Sequence, residues 1–227
     1  MKLLHNFLGL LASFCLILVL LISSVELVIY GFPNYFEKEY TKYKVAEQIS
    51  ISMPDLLQVT DEMMDYLKGK RADLHITTTI NGEQREFFNE REIAHMEDVQ
   101  TLFLKGMALR NICLVIIILG IGTLFFLKAD VKRILPKMIQ YGTGLFFLAV
   151  ILLGFLISLN FTRAFTIFHE LLFTNDLWYL DPATDLLINI VPEPFFIDTA
   201  LYIGIAFLIS ITFLFVGSAC CIRKNKL

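Results

Sequence analysis

Two histidines are the residues of this sequence best suited to do chemistry. His95 and His169 both lie in polar segments, close to where the chain enters long apolar runs. An unperturbed imidazole titrates near pH 6.5, so either ring could act as a base or an acid at neutral pH. The alternative is that each histidine only forms a local hydrogen bond, and the sequence leaves both alternatives open.

The residues around these two histidines indicate how the rings could be held. Asp98 follows His95 by three residues, which places it on the same helical face, where its carboxylate could orient the ring. His169 lies in a segment rich in aromatic side chains. These are Phe161, Phe165, Phe168, Phe173, Trp178, Tyr179, Phe195 and Phe196. A belt of Trp and Tyr at the membrane interface and a packed apolar pocket explain this density equally well.

Other catalytic groups fit the sequence less well. His169-Glu170 begins like a zinc-protease motif, but Phe173 stands where the second histidine is needed, so the motif fails. A zinc site is a minor alternative, with His95, His169, Asp98 and Asp176 as its ligands. No G-x-S-x-G motif is present and no cysteine lies in the polar segments, so an acyl-enzyme has no obvious nucleophile. We therefore expect no metal and no cofactor.

The composition predicts that much of this chain lies in a lipid bilayer rather than in water. Of 227 residues, 56% are hydrophobic and 18% are charged, whereas soluble proteins average roughly 25% charged residues. No basic face or nucleic-acid motif occurs, so no nucleic-acid partner is expected. All four cysteines, Cys15, Cys113, Cys220 and Cys221, lie within apolar runs or at their ends, which excludes a disulfide framework.

Four apolar runs could cross a hydrocarbon core, which needs about 20 helical residues. The predicted spans are Phe7–Val28, Ala108–Leu127, Met138–Leu159 and Ile197–Gly217. The first run is too long for the apolar part of a signal peptide and no cleavage site follows it, so we interpret it as an uncleaved anchor. Within the spans only Glu26 and Arg110 are charged, both near the outer ends, which disfavours an ion-coupled transporter.

The positions of lysine and arginine predict the orientation of the spans. The short loop after the second span and the C-terminal tail are basic, with Lys128, Lys132, Arg133 and Lys137 in the loop and Arg223, Lys224 and Lys226 in the tail. The connection 160–196 holds only Arg163 against five acidic residues. We therefore expect both termini in the cytoplasm and the connections 31–107 and 160–196 outside.

These assignments divide the chain into alternating segments. They are 1–30 (first span and cytoplasmic N-terminus), 31–107 (extracellular cap), 108–127 (second span), 128–137 (cytoplasmic loop), 138–159 (third span), 160–196 (second extracellular segment, part of the cap), 197–221 (fourth span) and 222–227 (cytoplasmic tail). The predicted fold class is an all-α membrane protein of four transmembrane helices with a small extracellular α+β cap that contains a β-hairpin.

Local signals predict the elements of the cap. Ser52 with Asp55, and Pro54 between them, starts a helix that ends near Lys68-Gly69. Asn81-Gly82 then predicts a type I′ turn that joins two strands.

In this predicted hairpin Ile76 stands opposite Phe87, which leaves one apolar face to be packed. Asn89 and Glu92 form the capping box of a further helix. The apolar face of that helix, which we expect against lipid or the helix bundle, contains Ile93, Met96, Phe103 and Met107.

Two motifs stand in these outer segments. One motif is the run Arg91-Glu-Ile-Ala-His95-Met-Glu-Asp98-Val. The other is Phe168-His-Glu-Leu-Leu-Phe-Thr-Asn175-Asp-Leu-Trp178-Tyr-Leu-Asp181-Pro182, extended by Asp185 and Pro192-Glu-Pro194-Phe-Phe196. Together they resemble the lipoprotein intramolecular transacylases of Gram-positive bacteria. The four-span plan with an outer cap is also similar, so the resemblance covers nearly the whole chain, although residues 31–88 are not matched individually.

The resemblance implies acyl transfer within one substrate in a bacterial cell membrane. The substrate is a diacylated lipoprotein, and the sn-2 acyl chain of its diacylglyceryl-cysteine moves to the α-amino group to give the lyso-form lipoprotein. The attacking nitrogen belongs to the substrate, so no enzyme nucleophile and no cofactor are needed. Membrane lipid is the other expected partner, and a monomer is assumed.

The resemblance also makes His95 and His169 the catalytic candidates. One would accept a proton from the amine and the other would donate toward the carbonyl or the departing oxygen, in an order left open. Candidates for substrate binding or orientation are Asp98, Phe165, Phe168, Phe173, Asn175, Trp178, Asp181, Phe195 and Phe196. The alternatives are surface charge for Asp98 and turn formation for Asn175 and Asp181.

Two other functions remain as alternatives at this point. The first is a non-catalytic membrane protein whose cap binds lipid or a partner. The second is a metal-dependent lipid hydrolase. The transacylase interpretation requires that His95 and His169, which are far apart in the sequence, come together in an apolar pocket.

Overall fold

The computed structural model describes residues 1–224; the predicted tail residues Asn225, Lys226 and Leu227 lie outside the described residues. In chain order the elements are α1 (Lys2–Glu26), a π-helical turn (Leu27–Gly31), α2 (Tyr35–Tyr43), α3 (Val45–Gln48), α4 (Met53–Leu67), β1 (Thr77–Ile80), β2 (Glu83–Glu86), α5 (Glu90–Phe126), α6 (Val131–Leu159), α7 (Phe161–Leu172), α8 (Leu186–Ile190) and α9 (Glu193–Lys224). Four helices are long and apolar enough to cross a membrane, and β1 and β2 form a small antiparallel sheet. The predicted fold class is confirmed.

Two compact units make up the chain. The first contains residues 1–30, 107–160 and those from 201 onward, and the second contains residues 31–106 and 161–200. The second unit has nearly the boundaries predicted for the cap.

Helices α5 and α9 are longer than the predicted spans because a polar helical section runs directly into an apolar one. The first part of α5, residues 90–106, belongs to the second unit. It carries six charged side chains, namely Glu90, Arg91, Glu92, Glu97, Asp98 and Lys105. A segment of that charge is unsuited to lipid, and the section of α5 from Met107 onward is the predominantly apolar one.

In the first unit, α1 and α6 pack closely where glycine allows it. A Cβ atom added to Gly142 would lie 2.5 Å from the Ser13 hydroxyl oxygen, and one added to Gly9 would lie 2.8 Å from Ile134. Ile17, Phe207 and Ile211 form a buried cluster in the same unit. Close van der Waals packing of this kind stabilises contacts between membrane helices.

The predicted local signals of the second unit are confirmed. The Ser52 hydroxyl accepts a hydrogen bond from the backbone N–H of Asp55 at the start of α4. Asn81 and Gly82 both have positive φ, 54° and 81°, as a type I′ turn requires. The backbone N–H of Phe87 donates to the carbonyl of Ile76 at 2.8 Å, which is the predicted register.

The second unit has an apolar core. The buried ring of Phe195, at the start of α9, packs against the rings of Tyr35, Phe36 and Tyr40 from α2 at centroid distances between 5.8 and 6.2 Å. Ile76, Ile80 and Phe87 of the hairpin are also buried. The hairpin therefore buries its one apolar face, as the alternation of its side chains predicts.

Candidate active site

The two histidines meet inside the second unit. His95 comes from the polar section of α5 and His169 from α7, and their ring centroids are 6.2 Å apart with the ring planes tilted by 38°. Only 6% of His95 and 7% of His169 is exposed. The structure thus brings together two rings that are distant in sequence, within reach of one ester group.

Aromatic side chains enclose His169. The ring centroid of Phe165 lies 4.1 Å away, that of Trp178 5.1 Å, that of Phe168 5.3 Å and that of Phe173 5.7 Å. Phe173 also presents an edge to His95 at 5.3 Å. Of the two explanations for the aromatic segment, these contacts support a packed apolar pocket for the four rings that surround His169.

The hydrogen bonding of His169 fixes which nitrogen carries the proton in the neutral ring. Its Nδ1 lies 2.8 Å from the backbone carbonyl oxygen of Phe165, one helical turn earlier. A carbonyl oxygen only accepts, so Nδ1 donates and Nε2 keeps the lone pair. Burial lowers the pKa of His169, and the hydrogen bond to Phe165 opposes that shift in part. The ring of His169 is therefore neutral at pH 7.

His95 is also neutral, but its hydrogen bonding is incomplete. Burial, followed by the neighbouring His169 ring, lowers the pKa of His95 to about 4, with an opposing contribution from Asp98. Its Nδ1 is buried and has no hydrogen-bond partner among the described residues. A buried polar atom left without a partner costs on the order of 1–3 kcal/mol.

The proposed contact between Asp98 and His95 is not made, which corrects the sequence-based expectation. The Asp98 carboxylate instead accepts a hydrogen bond of 2.8 Å from the side-chain amide of Asn175. Asp98 therefore acts on His95 only through its charge. The sequence could not show this because Asn175 reaches Asp98 from a different part of the chain.

Asn175 also organises the loop that follows α7. Its side-chain oxygen accepts from the backbone N–H of Leu177, and its backbone oxygen accepts from the indole N–H of Trp178 at 2.9 Å. Arg91 on α5 donates to the backbone oxygen of Asp176 in the same loop. This loop is therefore fastened to α5 at Asn175 and at Asp176, and it places Trp178 against His169.

Three of the predicted site residues have mainly structural contacts. The Asp181 carboxylate accepts from the backbone N–H of Ala183 at 2.9 Å, which is the turn-forming role that was its alternative. Phe195 belongs to the core beside Tyr40. The ring centroid of Phe196 lies 5.2 Å from that of Phe165, which itself contacts His169.

Sequence reasoning missed a polar network that holds this region together. Glu92 completes its capping box with Asn89, and its other oxygen accepts from the backbone N–H of Leu187 at 2.5 Å. Asp185 accepts from the Asn89 side chain at 2.8 Å and from the backbone N–H of Asp181 at 2.7 Å. Burial would raise the pKa of Asp185, but these hydrogen bonds outweigh it and the pKa falls. The position of Asp185 in the second motif was the signal in the sequence that could have identified this residue as part of the site.

No group of three or more His, Cys, Asp or Glu side chains in residues 1–224 is arranged to hold a metal ion. The Asp176 side chain, a ligand in the zinc alternative, is 90% exposed and lies near Arg91.

A cleft of about 170 Å³ lies beside Phe173, whose ring contacts both histidines, although neither histidine lines the cleft itself. Its walls include Phe173, Asp98, Asn175 and Lys105. This volume equals that of roughly five or six water molecules, so the cleft has room for a small polar group and is too small for a long acyl chain.

The sequence of this chain is similar to those of known proteins. A family model described as lipoprotein intramolecular transacylase Lit matches residues 10–196. A protein of Aquifex aeolicus (strain VF5), described as uncharacterized, is 32% identical over 164 residues, which are 70% of this chain and 65% of that protein.

Solved structures of the membrane-integral lipoprotein intramolecular transacylase Lit from Bacillus cereus share the fold. One has a TM-score of 0.81 at 20% identity and covers 100% of this chain and 99% of that chain. A variant in which a histidine is replaced by alanine gives 0.75 at 21% identity, covering 98% and 95%. Since the family model matches most of its length, the chain belongs to the lipoprotein intramolecular transacylase family.

Proposed function

We propose that this protein transfers the sn-2 acyl chain of a diacylglyceryl-cysteine lipoprotein to the α-amino group of the same cysteine. Family membership supports the reaction class. The observation that carries the mechanism is the pair of buried imidazoles, 6.2 Å apart, in an aromatic pocket.

His169 acts as the general base in this proposal. Its Nδ1–H is held by the Phe165 carbonyl, which leaves the Nε2 lone pair to accept the proton that the attacking amine loses. A base that was already protonated would be useless, and the lowered pKa of His169 keeps it neutral at pH 7.

His95 stabilises the oxygen that becomes negatively charged. A neutral imidazole can donate one N–H, and the buried, unpartnered Nδ1 of His95 gains its missing hydrogen bond when the ester carbonyl oxygen arrives. A donor that is placed in advance in a dry site contributes more than the same donor in water.

The bonds balance without an enzyme nucleophile or a co-reactant. The amine nitrogen forms a bond to the acyl carbon, and its proton passes to His169 Nε2. The bond from the acyl carbon to the sn-2 oxygen then breaks, and His169 returns the proton to that oxygen. The product has the same mass as the substrate.

The pocket lowers the barrier mainly by holding the reacting groups together. The nitrogen and the acyl carbon close a ring of roughly eight atoms, which forms slowly in solution because several torsions must be fixed. Positioning of this kind can contribute on the order of 7–11 kcal/mol at best. The acyl chains stay in the bilayer in this proposal, since the cleft beside Phe173 is too small for them.

We also propose that the second unit faces the outside and that both termini are cytoplasmic, with the segment boundaries derived from the sequence. Four spans place the two termini on the same side. The basic loop 128–137 supports the cytoplasmic assignment of that side. The lipoprotein substrate and the surrounding lipid are then the expected partners.

Mass spectrometry of a diacylated model lipopeptide, incubated with the purified protein in detergent, tests the proposed reaction. We expect an unchanged intact mass, with one acyl chain found on the N-terminal nitrogen after fragmentation. Loss of one acyl mass would show a hydrolase instead, and an unmodified peptide would favour a non-catalytic cap. The His75→Ala variant is the matched control, because His75 is an exposed histidine of the hairpin region.

A further inference from the structure

Trp178, the only tryptophan in the chain, lies against His169 with the two ring centroids 5.1 Å apart. Trp178 is partly buried, and its indole N–H is satisfied by the backbone oxygen of Asn175 at 2.9 Å. The indole covers one side of the ring and so helps to keep water away from it. Whatever holds Trp178 in place therefore contributes, with the three Phe rings, to the exclusion of water from His169.

The loop that carries Trp178 is held to α5 by the side chains of Asn175 and Arg91. Residues 173–185 lie between α7 and α8 and contain no helix or strand. Thr174, Asn175 and Asp176 are all exposed. Exposed loop backbone of this kind opens easily unless side chains fasten it.

Asn175 supplies that fastening with three hydrogen bonds in different directions. Its amide N–H donates to Asp98 on α5 at 2.8 Å, its side-chain oxygen accepts from Leu177 N–H at 3.1 Å, and its backbone oxygen accepts from Trp178. Asp98 is one turn along α5 from His95, so this pair links the helix of one histidine to the ring that covers the other.

We propose that Asn175 and Asp98 form a latch that holds Trp178 against His169 and so positions the general base for acyl transfer. This inference deepens the proposed function and rests on it for its kinetic consequence. Asn175 and Asp98 are then positioning residues, which act through Trp178, rather than catalytic residues. The titratable ring beside His169 is His95, and the charges of Asp98 and Arg91 act on His95.

An exchange of the two partners separates this latch from a general effect on folding. Asn175→Ala removes the amide and should release the loop. Asn175→Asp places two carboxylates opposite each other and should release it as well. The double variant Asn175→Asp with Asp98→Asn restores a donor on residue 98, an acceptor on residue 175 and the original net charge, so it should close the latch again.

Trp178 itself reports the result, because it is the only indole present. A protonated imidazole next to an indole alters its emission through their close contact. In the wild type the emission should therefore titrate with His169, and His169→Gln should abolish that titration. In Asn175→Ala we expect the midpoint to rise toward 6.5 because water reaches the ring, together with a roughly tenfold lower kcat and a much smaller change in KM.

The exchanged double variant should recover the wild-type midpoint and come within about threefold of the wild-type kcat. Gln58→Glu is the matched control: it creates a like-charge pair with Glu62 on the exposed face of α4 and should leave the emission unchanged.

An unaltered midpoint in Asn175→Ala would overturn the latch, and so would a double variant as impaired as Asn175→Asp. The fluorescence needs no turnover, so an intact latch in a protein that transfers no acyl chain would refute the proposed function alone.

Discussion

At the scale of single residues, both imidazoles are neutral, and this determines what they can do. The sequence identified His95 and His169 because few other residues could carry out proton transfer. It could not identify the tautomer of His169, which depends on a 2.8 Å contact to the Phe165 carbonyl. Nor could it show that Asp98 binds Asn175 instead of His95, since that contact joins distant parts of the chain.

The pH dependence of kcat/KM follows from these neutral rings. The reacting amine has an ordinary pKa of about 7.7–8.0 and must be deprotonated, so activity should rise roughly sevenfold between pH 6.5 and 7.5. Below the lowered pKa of His169 the base is protonated too, so the fall should become steeper. Since the pKa of His95 is about 4, His95 stays neutral from pH 5 to 9.

Initial rates with a model lipopeptide over this range check the prediction. A bell-shaped profile whose alkaline limb lies near pH 7 would contradict it, because such a limb requires a protonated imidazole as the acid.

At the scale of the elements, local sequence signals predicted where helices begin but not which distant residues the helix ends contact. The Asn89 and Glu92 capping box was predicted from spacing alone. The same Glu92 also accepts from Leu187, and Asp185 accepts from Asn89. These long-range contacts fasten the segment before α8 to the start of α5, and no local pattern contains them.

Asp185→Asn should destabilise the protein by about 1–3 kcal/mol. Asparagine retains one acceptor oxygen, whereas Asp185 uses both oxygens, so a buried N–H loses its partner. Thermal unfolding in detergent measures the change. Asp65→Asn is the control, because Asp65 forms only an exposed ion pair with Lys70 and its loss should have little effect. Equal melting temperatures for the two variants would remove Asp185 from the supporting network.

At the scale of the whole molecule, composition was sufficient for the fold class. Long uncharged runs need lipid, and the structure has four helices of the required length. The sequence placed the start of the second span near Ala108, whereas α5 begins at Glu90. The difference arises because helix continuity depends on backbone hydrogen bonds and not on where the solvent changes.

The proposed orientation predicts which engineered cysteines a membrane-impermeant thiol reagent can reach. In a background with Cys220→Ser and Cys221→Ser, Lys70→Cys should react in intact cells because the cap is outside. Lys132→Cys should react only after the membrane is permeabilised, since the basic loop is cytoplasmic in this proposal. The reverse pattern of labelling would show that the orientation is inverted.

The central claim is that two neutral imidazoles act as one unit on a single ester. Single-turnover rates of N-acylation, measured for His169→Ala, His95→Ala and the double variant, test it most directly. A general base contributes about 10²–10⁴-fold and a donor to the developing oxyanion about 10²–10³-fold. Each single variant should therefore lose at least about a hundredfold, while the double variant loses little more than the worse single one. Transfer at the wild-type rate by either single variant would contradict the account.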